Sequence, residues 1–115
     1  MFLTRAKAIQ KHREMWEWIT SETRKQKRRV KKTDYFEAHH IPKALRPDLD
    51  CFLCDYSGNT CDKCPLKWER GTCIHKDYKQ KHDGLLVRWM HSENWRQAAD
   101  YADAIATLPE KQDIK

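Results

Sequence analysis

Apolar residues, with one threonine, recur every seven positions along the first quarter of the chain, and two further apolar residues lie on the same face. The members of this stripe are Phe2, Ala6, Ile9, Trp16, Ile19, Thr23 and Val30. Residues at this spacing share one face of an α-helix. Thr4 is a good N-cap, and Leu3 can act as the apolar staple before it. The pattern predicts one long helix from residue 4 to about residue 32.

The end of the chain carries a second helical pattern. One apolar face is marked by Leu85, Leu86, Trp89 and Met90. Ser92 can cap a following helix, whose apolar positions are Trp95, Ala98, Ala99, Ala102, Ile105 and Ala106. The small alanines let another helix approach closely, and we expect that partner to be the stripe of the first helix around Trp16 and Ile19. Residues 77–108 are therefore predicted to form a C-terminal helical pair.

The region between these helices has weaker signals. A new helical start is predicted at residues 33–37, where Asp34 and Glu37 have capping-box spacing. His39 and His40 should end it, because the residue before Pro42 is disfavoured in a helix. Residues 44–50 read as a linker. A short helix is expected after Cys64, with Pro65 at its first position.

Four cysteines within fourteen residues form two Cys-x-x-Cys pairs in the centre of the chain. The pairs consist of Cys51 with Cys54 and Cys61 with Cys64. Each pair lets both sulfurs reach one ion, and two pairs complete the tetrahedron of thiolates that structural zinc prefers. The sequence thus predicts a zinc knot over residues 51–75 that binds one Zn²⁺ per chain.

Alternative ligands and metals remain open. Cys73 is a fifth candidate and can replace Cys61, and His75, spaced as Cys-x-His, can replace either of them. Four thiolates also suit an iron–sulfur cluster, although the ferredoxin spacings are absent. An odd number of cysteines fits a reducing compartment that keeps thiols free for metal better than a disulfide framework.

Composition indicates one small domain over residues 1–115. With 39% hydrophobic and 35% charged residues, the chain has a modest core. Bound zinc can contribute folding free energy of about 10 kcal/mol in small systems, so it should matter for stability. The predicted fold class is mainly α, with a long N-terminal helix, a central zinc knot and the C-terminal helical pair.

The positive charge is concentrated before the cysteines. Residues 1–50 hold 13 Lys/Arg against 7 Asp/Glu, whereas residues 51–115 hold 10 of each. Residues 1–38 are therefore a basic helical arm. Its basic run, residues 24–32, contains no acid and comprises Arg24, Lys25, Lys27, Arg28, Arg29, Lys31 and Lys32. It can bind nucleic-acid phosphates or an acidic protein, or it can be a solvated helix end.

Because these cations lie off the apolar stripe, the sequence predicts that alanine at Arg28, Arg29, Lys31 and Lys32 weakens partner binding and leaves folding intact. Five tryptophans also suit base stacking, but core roles are expected for most of them. Trp18 lies off the stripe and is the candidate for stacking.

Motifs for common catalytic sites are missing from the sequence. It has no Gly-rich phosphate loop and no Gly-x-Ser-x-Gly elbow. The segment from His39 to Pro42, followed by Cys51 and Cys54, resembles the HNH nuclease pattern. Asp55 stands where that nuclease needs a histidine. We therefore expect a non-enzymatic binding protein, with an HNH-like metal-dependent nuclease as the alternative.

The whole chain resembles small cysteine-rich proteins encoded in phages and prophages of Gram-positive bacteria. The resemblance is carried by residues 3–5, 12–16 and 35–37, by the five cysteines with Leu53, Asp55, Tyr56, Pro65, Leu66 and Trp68, and by residues 105–110. It implies phage origin and action in the bacterial cytoplasm, adds weight to Cys73 as a ligand, and gives no activity. With no apolar run long enough for a membrane span, we expect a host protein or nucleic acid as the partner, in a host-takeover or counter-defence role.

Overall fold

The computed structural model describes residues 4–46, 52–53, 65–66 and 85–110, and within them the fold is mainly helical. Helix α1 spans Arg5–Gln26 and α2 spans Lys32–Ala38, followed by a short 3₁₀ turn at Lys43–Leu45. Helices α3, Leu85–Met90, and α4, Trp95–Ala106, form the predicted C-terminal pair. In this part of the chain no helix has the length and apolar character needed to cross a membrane.

Helix α1 begins where the sequence predicts and ends earlier. The Thr4 hydroxyl accepts a hydrogen bond from the Lys7 backbone N–H at 3.2 Å, which confirms the N-cap. The helix stops at Gln26 because Lys27 adopts the left-handed conformation, with φ 55°. Beyond it, the Val30 N–H donates to the Thr23 hydroxyl at 3.3 Å. The predicted extension of the helix to residue 32 is therefore wrong. Val30 is buried, but it lies in the segment between α1 and α2.

Helix α2 has a cap one turn earlier than predicted. The Asp34 carboxylate accepts the Lys31 backbone N–H at 2.8 Å, so Asp34 is the third residue of the helix and not its N-cap. At the other end, His40 has φ 55° and the Ile41 N–H donates to the Phe36 carbonyl at 2.9 Å. This left-handed termination confirms the predicted helix end at the histidine pair.

Asn94, not Ser92, caps helix α4. The Asn94 side-chain oxygen accepts the Gln97 N–H at 2.9 Å. The Ser92 hydroxyl instead donates to the Trp89 carbonyl at 2.8 Å, which satisfies an acceptor at the end of α3. The prediction for Ser92 is wrong because two residues of turn separate it from the first residue of α4.

The core lies mainly between α1 and α4, as the apolar stripes predict. Ala98 and Ala102 of α4 and Ile19 of α1 are all fully buried, and the two helices are in extensive contact. Trp16 of α1 meets Trp89 of α3 edge to face, with ring centroids 4.8 Å apart.

Three side chains depart from the predicted faces. Ala6 is exposed, so it does not belong to the buried stripe of α1. In α3, Met90 is half exposed and Val87 takes a buried place that the pattern did not assign to it. Met90 is the last residue of this six-residue helix.

Two short pieces of the central region join this core. Phe52, Leu53 and Leu66 are buried in the same hydrophobic cluster as the helices. Leu66 forms an isolated antiparallel bridge with Glu110. The short helix predicted from Pro65 is therefore wrong at these two residues, because the Leu66 backbone pairs in an extended conformation.

Candidate partner-binding surface

The basic run does not continue α1 to its end, because the helix stops at Gln26 and the chain bends there. It covers the last turn of α1, the residues 27–31 that connect the helices, which we call the basic turn, and the first residue of α2. The cations are therefore distributed around a bend in the chain and do not lie along one helix face. Their roles differ from one residue to the next.

Arg24 and Arg28 take part in surface ion pairs. The Arg24 guanidinium lies 3.8 Å from the Asp100 carboxylate of α4, and that of Arg28 lies 3.5 Å from Asp34 of α2. All four side chains are partly or largely exposed to solvent, so each pair contributes little to stability, about 0–1 kcal/mol. Because each arginine lies beside a carboxylate, its positive charge is partly neutralised.

Arg29 fastens the basic turn to α3. Its guanidinium donates to the carbonyl of Trp89 at 3.4 Å and to the carbonyl of Met90. It also lies over the Trp89 ring, 5.5 Å from the ring centroid. A cation at a helix C-terminus satisfies carbonyls that the helix leaves unpaired. Arg29 is therefore mainly a structural residue, against the prediction that it is a free phosphate or partner contact.

The lysines of the basic run likewise differ in their exposure and contacts. Lys32 is half buried, with its ammonium 5.8 Å from the centroid of the Trp16 ring. Lys25, Lys27 and Lys31 are exposed, and none makes an ion pair with another residue in the described ranges. These three lysines are the part of the basic run that is exposed and has no ion pair within the described ranges.

A pocket of about 410 Å³ opens beside the basic turn. Leu86, Trp89 and Met90 of α3 supply its apolar side. Its polar lining comes from Arg29, Lys31, Lys32, Thr33 and His91. Sequence reasoning assigned Met90 to the core and did not single out His91 or this pocket. In sequence Met90 is as apolar as the buried residues of α3, so its type carries no signal of its exposure.

The described tryptophans do not provide an open stacking platform. Trp16 and Trp89 are buried, which confirms the core role expected for them. Trp18 is half buried and meets the rings of Tyr35 and His39 edge to face, each at 5.6 Å between centroids. The Arg96 guanidinium lies 5.0 Å from the Trp95 ring centroid. Trp68 lies outside the described residues.

The histidine pair of the HNH-like segment lies at the end of α2. The Nδ1–H of His39 donates to the Tyr35 carbonyl at 2.8 Å, and its ring lies 4.2 Å from the Tyr35 ring. His40 is exposed in the turn that ends the helix. Within residues 4–46, 52–53, 65–66 and 85–110, no three or more His, Cys, Asp or Glu side chains are grouped to hold a metal ion.

The predicted zinc ligands Cys51, Cys54, Cys61, Cys64 and Cys73, and the alternative His75, lie outside the described residues. Residues adjoining them in sequence are described. Leu53 is 1% exposed and Leu66 is fully buried. Both belong to the core shared with the helices.

Sequence reasoning also missed a buried histidine in α1. His12 is 1% exposed, and its Nε2–H donates to the Ile105 carbonyl of α4 at 3.0 Å. The pKa of His12 is lowered to about 4, chiefly by burial; the hydrogen bond to the Ile105 carbonyl raises it, and the nearby charges of Arg13 and Lys32 lower it. Its position, three residues after Ile9 and four before Trp16, is the spacing that would have placed it on the buried face.

No protein-family model, curated protein or solved structure matches this chain.

Proposed function

We propose that this chain is a non-enzymatic, zinc-binding protein of phage or prophage origin that uses its basic run to bind an acidic surface of a host protein in the bacterial cytoplasm. A host-takeover or counter-defence role follows from that proposal. The observation that carries it is the exposure of Lys25, Lys27 and Lys31 beside a turn that Arg29 fastens to α3. Cations on a fixed turn can match a fixed pattern of carboxylates.

Two features favour a protein over a nucleic acid. The described aromatic rings pack into the core or against neighbouring side chains, whereas single-stranded nucleic acid is usually bound by bases stacked on open aromatic faces. An apolar pocket also adjoins the lysines, and apolar pockets at the centre of a charged rim are typical of protein interfaces. Phosphate binding by the same lysines is the second candidate, supported by the concentration of cations in residues 24–32.

The proposal includes one Zn²⁺ held by Cys51, Cys54, Cys61 and Cys64, with Cys73 as the fifth candidate. Four thiolates fill a tetrahedral site, and a filled site stabilises the fold and leaves no open position for catalysis. In support, each Cys pair adjoins in sequence a leucine that is buried in the helical core, Leu53 for the first pair and Leu66 for the second. No observation in the described residues favours the HNH-like nuclease.

Affinity capture from bacterial lysate tests this function. The chain should retain a protein at fixed stoichiometry that survives nuclease treatment and elutes as salt is raised, because surface charges are screened. The variant Lys25→Glu/Lys27→Glu should lose it. The matched control Lys7→Glu/Lys43→Glu, which makes the same change in net charge at exposed sites outside the basic run, should retain it.

Two outcomes would overturn the proposal. Material that disappears on nuclease treatment would identify nucleic acid as the partner. Equal capture by the wild type and both charge-reversal variants would remove the basic run from the binding surface.

A further inference from the structure

The pocket beside the basic turn has the chemistry of a specific peptide site. We propose that it binds a large apolar side chain from an acidic segment of the partner protein, with carboxylates of that segment paired to the surrounding lysines. This inference rests on the proposed function and goes further, because it names the segment that the partner presents.

The volume and the apolar side of the pocket suit such a side chain. About 410 Å³ lies in the usual range of ligand pockets. Leu86 and Trp89 give it fixed apolar surface, while Met90, 50% exposed, is an unbranched and polarizable side chain that adapts to different apolar groups. An exposed methionine at the edge of an apolar pocket is characteristic of surfaces that receive partner side chains.

Charge complementarity identifies the flanking groups. Lys31 is exposed at the pocket, Lys32 lines it, and Lys25 and Lys27 precede them in the same basic run. The whole chain carries a net charge of +6. A segment with Asp or Glu on either side of its apolar residue would be attracted to this surface, whereas a basic segment would be repelled.

The walls of the pocket are held in place before any partner arrives. Arg29 donates to two carbonyls at the end of α3, and the Val30 N–H donates to Thr23, so the basic turn is tied to both α3 and α1. A site that does not reorganise on binding loses less entropy.

The Trp89 ring that lines the pocket is itself largely buried. The indole N–H of Trp89 is buried and has no hydrogen-bond acceptor among the described residues. This nitrogen has almost no accessible surface, so the ring offers the pocket an apolar face and not a donor. The ring is a poor platform for a nucleobase, because it is 5% exposed and lies against Arg29 and Trp16.

A random 12-residue peptide library displayed on phage tests the proposal, because selection reports the preferred chemistry directly. Peptides enriched on the wild-type protein should carry Leu, Phe or Trp flanked by Asp or Glu. Met90→Glu should weaken their binding by about tenfold or more, since it puts a carboxylate against the apolar residue and the acidic flanks. The control Met90→Leu should stay within about threefold, because it keeps the apolar volume.

A spectroscopic measurement accompanies the selection. Binding of an enriched peptide should move the NMR signals of the Met90 methyl and of the Trp89 indole N–H. Circular dichroism should show that Met90→Glu remains folded, since the residue is half exposed. Enriched peptides without an acidic excess, no enriched peptide at all, or equal binding to Met90→Glu would overturn the pocket assignment. A 20-residue oligothymidylate that moves the same two NMR signals would also overturn the pocket assignment.

The two proposals fail in different ways. Lysate capture that is lost in Lys25→Glu/Lys27→Glu but kept in Met90→Glu would leave the proposed function standing and remove the pocket from it. Capture that neither variant affects would overturn both.

Discussion

The Nε2–H of His12 donates to the backbone carbonyl of Ile105 across the interface of α1 and α4, at 3.0 Å. This hydrogen bond joins residues 93 positions apart in the sequence. Ile105 is itself fully buried, and so is Ala102 one turn earlier in α4. A buried polar contact is thus built into the apolar interface that holds the two longest described helices together.

The burial of His12 makes stability depend on pH. Its folded-state pKa of about 4 lies below the ordinary value of 6.5, so the unfolded chain takes up the proton first as pH falls. The contribution of His12 is complete above pH 6.5 and is lost progressively towards pH 4. Between pH 7.5 and pH 5 we expect a loss of about 2 kcal/mol.

Urea unfolding at pH 7.5, 6 and 5 checks this prediction. His12→Gln is the matched variant, because it keeps an amide donor and cannot titrate. Its stability should fall less than that of the wild type between pH 7.5 and pH 5. Parallel curves for the two proteins would show that His12 does not titrate in this way.

Arg29 should matter for folding, contrary to the expectation from sequence. Arg29→Ala removes two hydrogen bonds to the end of α3 and a cation over the Trp89 ring, and should cost about 1–2 kcal/mol. Lys25→Ala is the control, since the side chain is exposed and changes there are usually within about 0.5 kcal/mol. Thermal unfolding of the two variants measures the difference, and equal stability would contradict the structural role of Arg29.

Close approach of α1 and α4 predicts intolerance to larger side chains. Ala102 is fully buried, and Ala102→Leu should destabilise the protein by about 1–3 kcal/mol because the added atoms have no space. Ala6→Leu makes the same change at an exposed position of α1 and should be nearly neutral. Denaturant midpoints check both variants. A neutral Ala102→Leu would mean that the helices are not closely packed.

The zinc proposal predicts close to one Zn²⁺ per chain by elemental analysis. A strong chelator should remove the metal and destabilise the protein, because metal binding and folding are coupled. Cys54→Ser should reduce zinc content more than Cys73→Ser. Iron with visible absorbance, or no metal, would contradict the zinc site, and equal zinc loss in the two variants would contradict the ligand set.

Much of the helical architecture can be predicted from the local sequence. Thr4 starts α1 through a bond to a residue three positions later, and the spacing of Ala98, Ala102 and Ile105 defines the buried face of α4. Such features depend on residues within one or two turns of each other. Periodicity and capping chemistry therefore predict them without knowledge of the fold.

Where local sequence preferences conflict, the tertiary structure determines the outcome. Nothing within the basic run marks Lys27 as the residue that ends α1, yet the turn that follows leaves Val30 fully buried, with its N–H on the Thr23 hydroxyl. His12 and Arg29 are polar by type, yet one is buried and the other is tied to α3 because backbone carbonyls from distant segments satisfy their donors. Met90 fits the apolar pattern of α3 but is half exposed at the pocket. A sequence pattern shows which side chains prefer burial, whereas the arrangement of distant elements determines which of them find a partner.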